Sequence, residues 1–284
     1  MNAYIDANQL WLPPLPPEPN AFILTAELRP KSAALPKFDS AIPVADWART
    51  LLDFQPDPVQ TEIFSANTHR LILCCTRQWG KSSVAAIKAL HLACRKPGAL
   101  ILFTSASLKQ SAELLRKFRL YATMLLGVKC KGDGIHPGST VLPNGSRILA
   151  LPQSPSTIRC YSAVDLIVID EAAFVIDEMH AALTPMLATS NGELWLLSSP
   201  NGRAGEFHKI WTGNEPGWRK FSVNALECPR ISAEFLETER RAKGQDVFNR
   251  EYMCQFSGTT RQTIDPTIIE AAFRGNYPAA QFDK

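Results

Sequence analysis

Short runs of apolar residues alternate along this chain with longer stretches of helical spacing. The first continuous apolar run spans residues 71–75, and a helical pattern over residues 82–95 follows it. Further apolar runs cover residues 99–103 and 166–169, and a fourth strand-like segment over residues 193–197 is apolar after Glu193. Continuous runs of this length are typical of strands that are buried on both faces, as in a parallel sheet. The alternation therefore predicts an α/β fold in which helices flank a mostly parallel central sheet.

Weaker patterns complete this outline. Residues 45–54 carry apolar side chains at helical spacing and predict a short amphipathic helix. The hydroxyl-rich residues 104–107 cap a long helix that runs to residue 125. Residues 141–151 contain an Asn-Gly turn between short apolar segments, which is typical of a β-hairpin. We therefore expect the sheet to carry a small antiparallel hairpin annex.

The composition is that of a globular protein. Of its 284 residues, 45% are hydrophobic and 20% are charged, and no apolar run is long enough to span a bilayer. The N-terminus carries no recognisable secretory signal. The seven cysteines show no C-x-x-C or Cys/His spacing, so they fit a reducing compartment better than a disulfide framework or a zinc site. A net charge of +3 permits a polyanionic partner without requiring one.

Proline content suggests how the chain is divided. Residues 11–20 are too rich in proline to be helical, because proline lacks the backbone N–H and restricts the residue before it. We predict an extended arm over residues 1–40, one folded domain over residues 41–257 and a C-terminal tail or linker over residues 258–284. The arm fits a tether better than an element that docks on a neighbouring subunit.

The first candidate phosphate-binding residues lie in the turn between the first strand and the helix after it. Gly80, Lys81 and Ser82 lie where a phosphate-binding loop needs a glycine, an amine for the β- and γ-phosphates and a hydroxyl for Mg²⁺. The usual pattern, G-x-x-x-x-G-K-[ST], has glycine where this chain has Cys75. The triplet alone is a weak signal for a P-loop NTPase, so the rest of the chain has to support it.

Two adjacent acids, Asp170 and Glu171, end the apolar run that begins at residue 166. Ligands of α/β folds bind at the carboxyl ends of such strands. There Asp170 would hold the Mg²⁺ shell while Glu171 orients the attacking water. The alternative is that the acids only cap a helix that begins near Ala172. The two motifs support each other, because the intervening strands and helices suffice to bring Lys81 and the acids together.

Other polar positions each leave two interpretations open. Gln60 stands on a helical segment just before the first strand, where its amide would pair with adenine, although a helix-surface glutamine is the commoner explanation. Residues 198–202 follow the fourth strand and either sense the terminal phosphate or form a plain Pro-Asn-Gly turn. Arg116, Lys117 and Arg119 on the long helix fit a solvated helix face better than a DNA contact.

Together these segments resemble the ATPase domain of tailed-phage terminase large subunits. The resemblance covers roughly residues 45–257 and rests on five motifs in the family's order. The motifs are residues 76–82, 148–162, 168–174, 198–202 and 248–256. The family's phosphate loop also carries Arg-Gln-x-Gly-Lys and often lacks the first glycine, so Cys75 fits it. The resemblance implies an ATP-hydrolysing motor that drives viral double-stranded DNA into a procapsid.

The resemblance also implies a role for each matching residue. Lys81 and Ser82 would contact the phosphates and Mg²⁺, Asp170 the metal and Glu171 the attacking water. Residues 198–201 would couple phosphate loss to movement. The implied nucleotide-binding set is Gln60, Thr76, Arg77, Gln78, Trp79, Gly80, Lys81, Ser82, Ser83, Ser199 and Asn201.

Two arginines and several partners follow from the same resemblance. Arg77 would steady transition-state charge within its own subunit, and Arg159 is the candidate finger offered to a neighbouring subunit. The implied assembly is a homo-oligomeric ring at a capsid portal, with a small terminase subunit and a separate nuclease as further partners. It would work in the cytoplasm of the infected bacterium, on double-stranded DNA and without a membrane.

One departure from the family bears on activity. Large terminase subunits usually continue into a nuclease domain with an RNase H-like fold, and here the carboxylates after Phe256 are too few and scattered for a two-metal site: Asp265, Glu270 and Asp283. We therefore expect no DNA cleavage by this chain.

Two alternatives to the motor stay open. A helicase-like ATPase would need a second RecA-like lobe. A non-catalytic assembly module is the other alternative, and the intact Lys81 argues against it.

Overall fold

A computed structural model describes Leu35 and residues 42–256 of the chain. The predicted arm, apart from Leu35, and the predicted tail lie outside these described residues. All described residues belong to one compact unit that spans Lys31–Lys284.

Seven strands form one sheet with the order β3-β4-β2-β5-β6-β1-β7. β3 runs antiparallel to β4, and the other neighbouring pairs are parallel. The strands are β1 (Arg70–Cys75), β2 (Leu100–Ser105), β3 (Ser139–Val141), β4 (Arg147–Leu151), β5 (Leu166–Asp170), β6 (Glu193–Ser198) and β7 (Trp218–Val223). The predicted fold class and the hairpin annex are confirmed.

The register of the strands aligns their carboxyl ends at one edge of the sheet. Cys74 of β1 pairs with Ser198 of β6, and Asp170 of β5 pairs with both Leu197 of β6 and Ser105 of β2. β6 therefore separates the strand that leads into the phosphate loop from the strand that ends in the acids. This edge is where the candidate chemistry gathers.

Nine α-helices are assigned among residues 42–256. They are α1 (Val44–Leu52), α2 (Pro58–Ser65), α3 (Lys81–Arg95), α4 (Leu108–Leu126), α5 (Pro155–Ile158), α6 (Asp177–Leu183), α7 (Gly205–Thr212), α8 (Ala233–Lys243) and α9 (Gln245–Glu251). The Ser107 side chain accepts from Gln110 N and so caps α4, while Asp57 and Gln60 form a capping box on α2. None of the described helices is both long and apolar enough to cross a membrane.

The sheet is buried on both faces. Leu71 and Leu73 of β1 pack into a cluster with residues of α1 to α4, and Ile72 and Cys74 pack into a second cluster with residues of α5 to α7. Alternate residues of one strand point to opposite faces, so a strand between two helix layers has to be apolar throughout. This explains the continuous apolar runs in the sequence.

Two elements differ from the sequence expectations. β7 is absent from the predicted strands because it is an edge strand with exposed polar residues: Arg219 and Ser222 are exposed, whereas Phe221 and Val223 are buried. The helix expected near Ala172 is a short 3₁₀ turn over Ala172–Phe174, and α6 begins only at Asp177. A left-handed backbone at Glu171 separates the strand from the turn.

Candidate nucleotide-binding site

The phosphate loop connects β1 to α3. Gly80 has φ of 106°, and a Cβ at this position would lie 3.2 Å from Gln60 Nε2, so only glycine fits without strain. Cys75 is the last residue of β1 and has no positive φ, so the backbone does not require glycine at this position. Lys81 is also buried, and its Nζ donates to the carbonyl oxygens of Cys75 and Thr76, each at 3.1 Å.

The first turn of α3, which follows the loop, contacts the aspartate that ends β5. Ser82 Oγ donates to Asp170 Oδ2 at 3.2 Å, although the two residues are 88 positions apart. Burial raises the pKa of the Asp170 carboxyl, an effect that the charge of Lys81 and the hydroxyl of Ser82 partly offset. A serine hydroxyl and an aspartate carboxylate are hard oxygen ligands, which fit Mg²⁺ when substrate phosphates supply the remaining ligands.

Glu171 has an unusual backbone. Its φ of 51° and ψ of 44° are in the left-handed region, which is costly for a residue with a side chain and is concentrated at functional sites. Glu171 Oε2 accepts from Ser198 Oγ at 3.5 Å. Burial raises the pKa of Glu171, Lys81 opposes this and Asp170 adds to it. The carboxyl is therefore shifted toward the range in which a general base works.

The residues after β6 contact the segment that follows the acids. Ser198 Oγ accepts from Ala173 N at 3.2 Å, and Asn201 Nδ2 donates to Ala173 O at 3.3 Å. Ser199 is buried, and its Oγ has no hydrogen-bond partner among the described residues. The end of β6 is thus linked to the turn that carries Glu171.

The Gln60 side chain is buried and forms a hydrogen bond to the backbone of the phosphate loop. It is 2% exposed, its Oε1 accepts from Asp57 N at 3.1 Å, and its Nε2 donates to Trp79 O at 3.3 Å. Arg230 NH2 donates to the same carbonyl oxygen at 2.5 Å. Trp79 itself is buried in the core. These contacts brace the loop, and an adenine contact by Gln60 stays a prediction.

The two candidate arginines lie in different places. Arg77 Nε is 2.6 Å from Glu251 Oε2 at the end of α9, and Thr76 Oγ1 donates to the backbone oxygen of Glu251 at 3.2 Å. Arg159 is exposed and follows α5. Arg77 lines the cavity described next, whereas Arg159 does not.

A cavity of about 620 Å³ opens beside the phosphate loop. The predicted residues that line it are Arg77, Gln78, Gly80, Lys81, Ser82, Ser83 and Glu171. The predicted residues that do not line it are Gln60, Thr76, Trp79, Arg159, Asp170, Ser199 and Asn201. Sequence reasoning missed four further lining residues, which are Ala106, Gln110, Lys117 and Phe174.

A strand, a glycine turn, a buried lysine at a helix start and an acid pair two strands away define a P-loop NTPase fold and site. Residues 72–268 match the family model described as "Terminase large subunit, T4likevirus-type, N-terminal". Because this match covers more than half of the chain, the protein belongs to the terminase large subunit family.

Solved structures share this fold. The large terminase ATPase domain of Thermus phage P74-26 superposes with a TM-score of 0.64 at 19% identity, covering 76% of this chain and 100% of that one. The large terminase of bacteriophage HK97 gives 0.62 at 18% identity, covering 80% and 57%. The large terminase of the thermophilic bacteriophage D6E in complex with ADP gives 0.58 at 13% identity, covering 75% and 52%. The chain thus spans about half the length of the last two.

Proposed function

We propose that this chain hydrolyses ATP and that hydrolysis drives viral double-stranded DNA into a procapsid. The observation that carries the proposal is the 3.2 Å contact between Ser82 Oγ and Asp170 Oδ2, because it joins the phosphate loop to the acid pair. Family membership supports it. The D6E large terminase has been solved with ADP and with ATP-gamma-S, which supports ATP as the nucleotide.

The phosphate loop would hold the nucleotide through its backbone N–H groups at the start of α3. Lys81 would exchange its two loop carbonyls for the β- and γ-phosphate oxygens, which are stronger partners for an ammonium. Ser82 and Asp170 would hold Mg²⁺, which when bound neutralises charge on those oxygens. Gln78 and Ser83, which line the cavity, would belong to the same cradle, and Thr76 would support it from the loop behind them.

Glu171 would orient the attacking water and accept its proton. Its raised pKa and its contact with Ser198 support this role, since a general base works best with a pKa near the operating pH. Ser199 and Asn201 would pass the change at the terminal phosphate to the chain beyond β6. Arg77 would steady transition-state charge within the subunit.

Arg159 is our candidate for a finger that acts in a neighbouring subunit. It is exposed and does not line the cavity of its own chain, which suits a contact made across an interface. Such a role implies a homo-oligomeric ring, proposed to act at a capsid portal with a small terminase subunit and a separate nuclease, in the cytoplasm of the infected bacterium.

The test is Mg²⁺-dependent phosphate release by the full chain. We expect Glu171→Gln to lower the rate by about 10² or more, because it removes the general base. Lys81→Ala should lower it by about 10² or more as well, because it removes a positioned cation that stabilises charge on the phosphates. Glu237→Gln is a matched control, because Glu237 lies on the surface of α8 in exposed ion pairs. Parent-like rates in both site variants would show that these residues do not form the active site.

DNA binding has its own test. A motor that grips DNA phosphates releases counterions, so its affinity should fall steeply with salt. The measurement is DNA affinity of the parent chain at low and moderate salt, with a non-hydrolysable ATP analogue present. Affinity that stays flat over this range would contradict a phosphate grip.

A further inference from the structure

Helix α4 forms one wall of the cavity beside the phosphate loop. Gln110 and Lys117 both line this cavity and are seven positions apart on α4. Seven residues make about two helical turns, so the two side chains lie on the same helix face. The wall comes from the helix that follows β2, and β2 is the neighbour of the strand that carries Asp170.

Lys117 differs from the basic residues beside it. Arg116 is paired with Glu113, and Arg119 donates to Thr140 Oγ1 and Ser139 O in the hairpin. Among the described residues, the Lys117 ammonium has no hydrogen-bond or ion-pair partner, although the side chain is half-buried. Its charge still favours the ionised form of Asp170. It is therefore a cation on the wall of the cavity with its hydrogen-bonding capacity unused.

Two serine hydroxyls hold the Gln110 side chain in place. Its Oε1 accepts from Ser105 Oγ at 3.1 Å and from Ser107 Oγ at 3.0 Å. Ser105 is the strand neighbour of Asp170. Because the carbonyl oxygen is taken, the amide NH₂ is the part of this side chain that remains to donate to a ligand. Both α4 residues thus offer donors to the cavity.

We propose that Lys117, assisted by Gln110, binds the terminal phosphate of the bound nucleotide and so makes the site prefer ATP to ADP. This rests on the proposed ATPase function. The phosphate loop and Lys81 would hold the nucleotide from the side of β1, whereas Lys117 lines the same cavity from the helix that follows β2, the strand that pairs with β5. The phosphate nearest Glu171 is the one attacked, and it is absent from ADP.

The experiment compares Mg²⁺-dependent binding of ATPγS and of ADP to the full chain by titration calorimetry. A hydrogen bond to a charged group is worth enough that Lys117→Ala should weaken ATPγS binding about tenfold or more while changing ADP binding by less than about threefold. Lys117→Arg should restore most of the preference, and Gln110→Ala should give a smaller loss of the same kind. Lys109→Ala is the control, because Lys109 is exposed on the same helix and does not line the cavity.

The outcomes separate the proposed role of Lys117 from the proposed ATPase function. A parallel loss of ATPγS and ADP affinity in Lys117→Ala, or no loss, would overturn the role of Lys117 and leave the ATPase proposal intact. If Lys117→Ala fails to fold, the smaller loss expected for Gln110→Ala tests the same preference. If the parent chain binds neither nucleotide, both proposals fail together.

Discussion

Arg77 Nε lies 2.6 Å from Glu251 Oε2, so an ion pair ties the phosphate loop to the end of α9. The Arg77 side chain is 60% exposed and the Glu251 side chain 13% exposed. Arg77 also lines the cavity beside the loop. If Arg77 contacts a phosphate as proposed, one guanidinium has to divide its charge between Glu251 and that phosphate, so we expect the ion pair to compete with nucleotide binding.

Replacing Glu251 with Gln removes this competition at nearly constant size. We expect ATPγS affinity to rise by up to about fivefold, because an ion pair whose arginine is 60% exposed contributes only about 0.2–1 kcal/mol. Calorimetric titration with Mg²⁺ present measures the change. Glu237→Gln removes a carboxylate from the ion pairs of α8 and should leave the affinity unaltered. Weaker binding by Glu251→Gln would mean that the pair orders the loop rather than competes with the nucleotide.

Ser82 tests the metal site. Ser82→Ala removes the hydroxyl that bonds Asp170 and that would bind Mg²⁺, so we expect the Mg²⁺ concentration for half-maximal ATPase rate to rise about tenfold or more. Ser82→Thr keeps the hydroxyl and should retain a Mg²⁺ dependence close to that of the parent. Steady-state phosphate release over a range of Mg²⁺ concentrations gives both values. An unchanged Mg²⁺ requirement in Ser82→Ala would remove Ser82 from the metal site.

Gln60 separates adenine recognition from loop bracing. Gln60→Met keeps the side-chain length but removes the acceptor of Asp57 N and one of the two donors to Trp79 O, so we expect a loss of about 1–3 kcal/mol in the free energy of unfolding. If bracing is the role, affinity for ATP and for GTP should fall together. Loss of affinity for ATP alone, with GTP unaffected, would instead assign Gln60 to the base. Urea unfolding and competition binding measure the two effects.

Much of the fold follows from the sequence because buried strands have to be apolar on both faces. The acids were predictable for the same reason, since Asp170 and Glu171 interrupt such a run at its carboxyl end. β7 was missed because its exposed polar residues break the pattern. The sequence predicts that Lys117 belongs to a solvated helix face. The spacing of apolar residues indicates that α4 is a helix, but it does not indicate which face of the helix lies toward the phosphate loop.

His91 should make the stability of this protein depend on pH. It is 7% exposed on α3, with its ring edge-on to Trp47 at 5.3 Å, and burial, aided by Lys88 and Arg95, lowers its pKa to about 4. In the unfolded chain the pKa returns to about 6.5. Between these values only the unfolded state takes up the proton, so the free energy of unfolding falls as the pH drops.

We expect this loss to reach about 1–3 kcal/mol from His91 alone between about pH 7 and pH 4. His91→Phe keeps an aromatic ring against Trp47 without a titrating group, so its stability should fall less over the same range. His69→Gln changes an exposed histidine and should keep the slope of the parent. Urea unfolding at several pH values supplies the slopes. If His91→Phe loses stability as steeply as the parent, the proton that destabilises the fold binds elsewhere, and the buried imidazole carries no such cost.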